Sequence, residues 1–180
     1  MPCKTEKLKT KKTIIYRTLD YKNQAELLSY TKLFWSIPIG LNEFFTKRTP
    51  TFINNWCRQA KKEENESNTF PGIAIFNKKI IGLYLLRRFE EFEHVGVHVA
   101  GIWVAPKHRK DGVASKLKNI GNEWASSIGA VFINANVDPI NQRMQKIIEH
   151  NGFTLHKLSY RKQLNRKTNR KIKFNTFNTN

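Results

Sequence analysis

The sequence predicts an α/β (α+β) fold, a mixed central β-sheet flanked by helices. Three observations carry this. Strand-like and helical apolar patterns follow one another in the order β, α, α, β, β, β, α, β, α, β, which suits a sheet covered by helices. At the centre, an apolar run from Val95 to Val104 is followed by a short basic loop. A helical pattern comes next, with Ala114, Leu117, Ile120, Gly121, Trp124, Ala125 and Ile128 at spacings of three and four. Finally, 180 residues with 39% hydrophobic content are enough for one domain with its own core.

Residues 1–12 hold Lys4, Lys7, Lys9, Lys11 and Lys12 and read as a basic flexible arm. A single domain is expected over 13–164. The polar stretch 165–180, with Arg166, Lys167, Arg170, Lys171 and Lys173, reads as a basic flexible tail. Within the domain, Thr13 to Arg17 has strand character, and Asp20 is a candidate cap for the first helix. From Asn23 to Trp35, Leu27, Tyr30 and Phe34 share a helical face until Ser36–Gly40 breaks it. Leu41 to Phe45 is a short apolar segment, a partner-facing loop or a helical turn. Thr49 and Pro50 form a helix start, continued by Phe52, Ile53, Trp56, Cys57 and Ala60, and Lys61 to Asn68 reads as a polar link.

Gly72–Phe76 and Ile80–Leu86 are strands joined by Asn77-Lys78-Lys79, a length suited to a hairpin. Arg87–Glu93 reads as a charged connection before the strand Val95–Val104. A further strand is expected over Val131–Val137. Asp138-Pro139 carries helix-start signals, with Ile140, Met144, Ile147 and Ile148 as the buried stripe and Asn151-Gly152 as the stop. Phe153–Leu164 supplies a last strand or hairpin.

The chain carries 32 Lys and Arg against 14 Asp and Glu, a formal charge of +18. Such a charge implies a polyanionic partner, an acidic surface or a demand for solubility. The longest apolar run, Ile80 to Leu86, is too short to span a membrane. The Lys-rich start lacks the apolar segment of a secretory signal. Cys3 and Cys57 do not make a disulfide framework, so a cytoplasmic protein is expected. No Gly-x-Ser-x-Gly elbow, phosphate-binding Walker loop or zinc-type Cys/His spacing is present.

The basic loop reads Val104-x-Pro106, then Arg109-x-x-Gly112-x-Ala114. A loop that opens a helix offers free N–H groups and the positive end of the helix dipole, which suit a phosphate. This spacing resembles the acyl-CoA motif of the GNAT N-acetyltransferase superfamily. Asn141-x-x-Met144-x-x-Ile147-Ile148-Glu149-x-x-Gly152-Phe153 resembles that family's late helix. The resemblance covers roughly Phe70 to Leu164, and the element order is that of the GNAT acyl-CoA N-acyltransferase fold.

The resemblance implies an N-acetyltransferase that takes acetyl-CoA as acyl donor. Its pyrophosphate would be held by the segment Arg109, Lys110, Asp111, Gly112, Val113, Ala114 and Ser115. It also implies that a backbone N–H in Ile102, Trp103 or Val104 polarises the thioester carbonyl, and that Asn141 approaches the pantetheine. Three positions depart from the family. Ile148 stands where a tyrosine commonly protonates the departing thiolate, Lys110 stands where glycine is common, and Asp111 puts a negative charge beside the proposed pyrophosphate.

His98, on the central strand where the family often places a Glu or His, is the candidate base, with an ordinary strand histidine as the competing reading. His94 and Glu93 are second choices. Tyr160 is a candidate acid in place of the missing tyrosine, and His108 a candidate phosphate-side contact. With one histidine base and no tyrosine acid, an α-amine near pKa 7.7–8.0 is an easier acceptor than a lysine near 10.4. Combined with the charge, this points to an amine carried on nucleic acid, as in aminoacyl-tRNA or a modified base of DNA or RNA, or on a nucleic-acid-bound protein. A non-catalytic nucleic-acid-binding module and a small-molecule amine acetyltransferase are the alternatives. Monomer and homodimer both stay open.

Overall fold

The structure is a computed structural model that describes residues 13–37, 49–65 and 68–157. The chain divides into two compact units, 1–138 and 139–180. Among the described residues no helix is long and apolar enough to cross a membrane.

The first unit runs β1 (Ile15–Thr18), α1 (Gln24–Phe34), α2 (Pro50–Asn65), β2 (Thr69–Phe76), β3 (Lys79–Glu91), β4 (His94–Val104), α3 (Val113–Ser127) and β5 (Phe132–Ala135). The sheet order is β1-β2-β3-β4-β5. The first four strands pair antiparallel, and β5 pairs parallel to β4. That last pairing needs a crossover, which α3 supplies. The β2–β3 and β3–β4 hairpins both turn on two residues at positive φ, Asn77 and Lys78 in one, Phe92 and Glu93 in the other, the twist that tight hairpins favour.

Alternation along the strands builds two cores. Leu83 and Leu85 of β3 join Ile73 against Leu27, Tyr30 and Phe34 of α1 and Ile53, Cys57 and Ala60 of α2. Tyr84 and Leu86 face the other way, with Phe70, Ala74 and Val97, against Val113, Leu117 and Ala125 of α3. The mixed sheet with flanking helices is therefore as expected.

Several boundaries differ from expectation. The charged stretch Arg87–Glu91 is strand, not connection: it pairs residue by residue with His94–His98. Phe89 meets Phe132 edge-on at 5.7 Å, and both rings lie where a Cβ on Gly96 would fall. Pairing and burial outweigh the low strand preference of its charges. Helix α2 runs on through Lys61–Asn65 rather than ending in a link. Asn23, not Asp20, caps α1 by accepting from the Glu26 N–H at 3.1 Å, while Thr49 caps α2 as expected.

In the second unit α4 spans Gln142–His150. It starts at its cap Asn141 rather than at Asp138-Pro139, because the Asn141 side chain accepts from the Met144 N–H at 3.1 Å. Gly152, at φ +83, follows its end. Ile140 and Ile147, expected to be buried, are exposed. Residues 153–157 form no strand. The arm, the tail, Leu41–Phe45 and Tyr160 lie outside the described residues.

Candidate active site

The loop between β4 and α3 begins with a short 3-10 turn, Pro106–His108. Arg109 Nε donates to the Val104 carbonyl at 3.1 Å, tying the loop to the strand it leaves. Lys110 and Gly112 then both take left-handed φ, +72° and +76°. Gly112 caps α3 with no side-chain hydrogen bond, and the first turn of α3 holds no acid. The Lys116 N–H is already paired to the Gly112 carbonyl at 3.0 Å, so the first-turn N–H groups of Val113, Ala114 and Ser115 precede the helical ladder. A Cβ built on Gly112 would meet nothing within 4 Å, so the glycine serves a backbone turn beside open space. With Lys107, Arg109 and Lys110 around it, the loop has the free donors and positive charge that a pyrophosphate requires. Asp111 is exposed, with its carboxylate 3.8 Å from the His108 ring. His108, expected to face phosphate, packs its ring edge-on to Phe76 at 5.3 Å.

Strand β4 carries a bulge: Leu85 pairs with Gly101 and Leu86 with Val99, leaving Ala100 unpaired. Strand β5 pairs only with Gly96–Val99. Beyond the bulge, β4 therefore has a partner on one edge alone among the described strands. The Ala105 N–H donates to Ile81 of β3, so alternation turns the backbone groups of Ile102 and Val104 toward the open edge. The Val104 carbonyl there is the one Arg109 holds. Ile102 and Val104 pack their side chains on the α3 side, and Trp103 on the α1–α2 side.

His98 lies just before the bulge. Its neighbours Val97 and Val99 pack toward α3, so its side chain faces the α1–α2 side. It is half-buried, between Arg87 of β3 and Asn134 of β5 in the pairing. Burial first, and the Arg87 cation second, hold the imidazole below the usual histidine range, which favours a neutral proton acceptor. His94 and Glu93 are exposed at the β3–β4 turn, which leaves His98 the better placed of the three.

The first unit carries His98, the edge at Ile102–Val104 and the segment Arg109–Ser115 in order along β4 and the loop and helix start that follow it. Asn141 belongs to the second unit, where its side chain is committed to the helix cap. Neither Ala100 nor Asn134 stands out in the sequence, and Arg87 falls in a stretch that reads as a loop; a bulge has no signature in a run as apolar as Val95–Val104.

The profile of the acetyltransferase (GNAT) domain matches residues 17–154. The chain belongs to the GNAT acetyltransferases. Its fold is shared with solved GNAT structures at low identity. An aminoglycoside antibiotic 6′-N-acetyltransferase from Acinetobacter baumannii has a TM-score of 0.66 at 14% identity, over 84% of this chain and 99% of that one. A ribosomal-protein-alanine N-acetyltransferase from Brucella melitensis has a TM-score of 0.64 at 15% identity, over 85% and 100%. A glucosamine-6-phosphate N-acetyltransferase from Arabidopsis thaliana has a TM-score of 0.63 at 12% identity, over 85% and 99%. No curated relative matches the chain. Family membership makes the chain an acetyltransferase in class, while the likeness to these structures shows the fold.

Proposed function

We propose that this GNAT acetyltransferase transfers an acetyl group from acetyl-CoA to a primary amine carried on nucleic acid, with aminoacyl-tRNA as the first acceptor to test. The observation that carries the donor half is the loop geometry. Left-handed Lys110 and Gly112 precede a first helical turn with free N–H groups and no acid. Acetyl-CoA, when bound, supplies a thioester whose carbonyl carbon accepts the amine. Backbone N–H groups of Arg109–Ser115 would hold its pyrophosphate, and an N–H of Ile102 or Val104 on the open edge of β4 would hydrogen-bond the acetyl oxygen. His98 accepts the proton that the amine nitrogen sheds as its new bond to carbon forms. No acid is assigned within the first unit. Ile148 stands in the family's tyrosine position, and Tyr160 keeps its proposed role as donor of a proton to the CoA thiolate that would leave as the carbon–sulfur bond breaks.

Two features favour an acceptor that is not a polycation. The net charge is +18. The carboxylates of Glu26 on α1 and Glu63 on α2 are already paired, with Arg17 at 2.6 Å and Arg87 at 3.3 Å, so neither is free to greet an amino sugar. Labelled acetyl-CoA incubated with charged tRNA, free amino acids and aminoglycosides tests this directly. Label on the aminoacyl group of tRNA is the expected result; label on small amines alone overturns the acceptor. A Gly112→Glu variant, with bulk and negative charge at the loop, should lose acetyl-CoA affinity by calorimetry. Undiminished affinity in a folded variant would refute the donor site.

A further inference from the structure

Arg87 and His98 are direct partners across the β3–β4 ladder and lie on the same face of the sheet. Partners of this kind hold their Cβ atoms about 4.5–5.5 Å apart. Arg87 Nη2 donates to both carboxylate oxygens of Glu63 on α2, at 3.4 and 3.3 Å. Its Nε is buried and has no hydrogen-bond partner among the described residues. The side chain is thus pinned at one end by α2 while its charge stays beside the imidazole. Among the described residues, Arg87 and Glu63 also act on the Tyr30 phenol, and the Cys57 thiol packs in the same buried cluster. Tyr30 of α1 is fully buried, and burial holds its hydroxyl well above the usual phenol range; Tyr21, before α1, adds to that effect. On the far side of His98, β5 presents the uncharged Asn134.

We propose that Arg87 is a positioning residue for acetyl transfer, tethered by Glu63 so that it presents a fixed cation to His98 across the sheet. The inference rests on the reading of His98 as the base. A cation beside an imidazole disfavours a second positive charge, so His98 stays neutral and ready to accept a proton to a lower pH than an ordinary histidine. Glu63 works the other way, since it offsets the cation and limits the effect.

The two residues therefore have opposite signatures, which a purely structural ion pair lacks. The imidazole of His98 is titrated by NMR in the full-length protein and in Arg87→Met, Arg87→Lys and Glu63→Gln variants. The pH dependence of kcat/KM is measured on the same samples. Arg87→Met removes the cation and frees Glu63, so the His98 pKa should rise by about half a unit or more. Glu63→Gln uncovers the cation, so it should fall. Arg87→Lys keeps the charge and should restore wild-type titration. The acidic limb of kcat/KM should follow each shift. Movement in the same direction for Arg87→Met and Glu63→Gln, or none in either, overturns the proposal. An NMR shift with an unmoved kinetic limb upholds the electrostatic pair and overturns His98 as the base. Glu63→Gln and Arg87→Lys keep the test decisive if Arg87→Met fails to fold.

Discussion

Lys110 shows what a single residue contributes to the loop. It sits at φ +72°, where an L side chain crowds its own backbone at a cost of about 1–2 kcal/mol. The family commonly has glycine at this point, and the conformation explains why. A lysine accepted there adds positive charge where a pyrophosphate would sit, so strain is exchanged for charge. Lys110→Gly should relieve the strain but lose chain entropy on folding, a net gain of about 0.5–1 kcal/mol. That corresponds to a rise in Tm of about 1–4 °C for a chain of this size. Acetyl-CoA affinity should fall with the lost charge. A thermal melt with calorimetry on the same sample checks both; a lowered Tm would mean that the Lys110 side chain supports the fold.

At the scale of elements, the loop is only as well placed as α3. Two glycines let that helix lie close on the sheet. A Cβ on Gly121 would come within 2.7 Å of the Tyr84 ring and 2.9 Å of Leu86, and a Cβ on Gly82 within 2.9 Å of Val113. Tyr84 is packed tightly enough that burial pushes its hydroxyl up to about 12. Gly121→Val should force these side chains apart and cost about 3 kcal/mol, at the upper end of overpacking. Because the first turn of α3 carries the donor N–H groups, acetyl-CoA binding should weaken as well. Chemical denaturation measures the first effect. A variant as stable as wild type would show that α3 can lift off the sheet freely, and the loop would then need another support.

Over the whole molecule, the charge of +18 is the feature that no single element explains. Lysines and arginines run along the whole chain, 1–12 and 165–180 included, and the proposed acceptor is a polyanion that such a charge would attract. If they bind nucleic acid, affinity should fall steeply with salt, with a log–log slope of roughly −0.7 to −0.9 for each phosphate neutralised. Deleting residues 165–180 should flatten that slope by about three to five units and weaken binding to all sequences alike, while acetyl-CoA affinity stays unchanged. Fluorescence anisotropy with tRNA and duplex DNA across a salt series tests this. A full slope in the truncated protein would exonerate the tail and move the contact to residues 1–12 or to the basic residues between the two segments.

The chain alone makes legible whatever depends on local order. Apolar spacing marks α1, α2 and α3, and the Arg109-x-x-Gly112-x-Ala114 spacing locates the loop, because a tight turn into a helix demands particular residues in consecutive positions. His98 can be picked out by its place on the central strand. Tertiary structure alone decided the rest. Arg87–Glu91 is strand only because β4 lies alongside it, and the bulge at Ala100 exists only in the register between two strands. Among the described strands, the edge of β4 left without a partner beyond the bulge arises from where β5 stops. Each of these depends on the register with another strand, the next arm of a hairpin or β5, and a register between segments leaves no trace in the local pattern of either one.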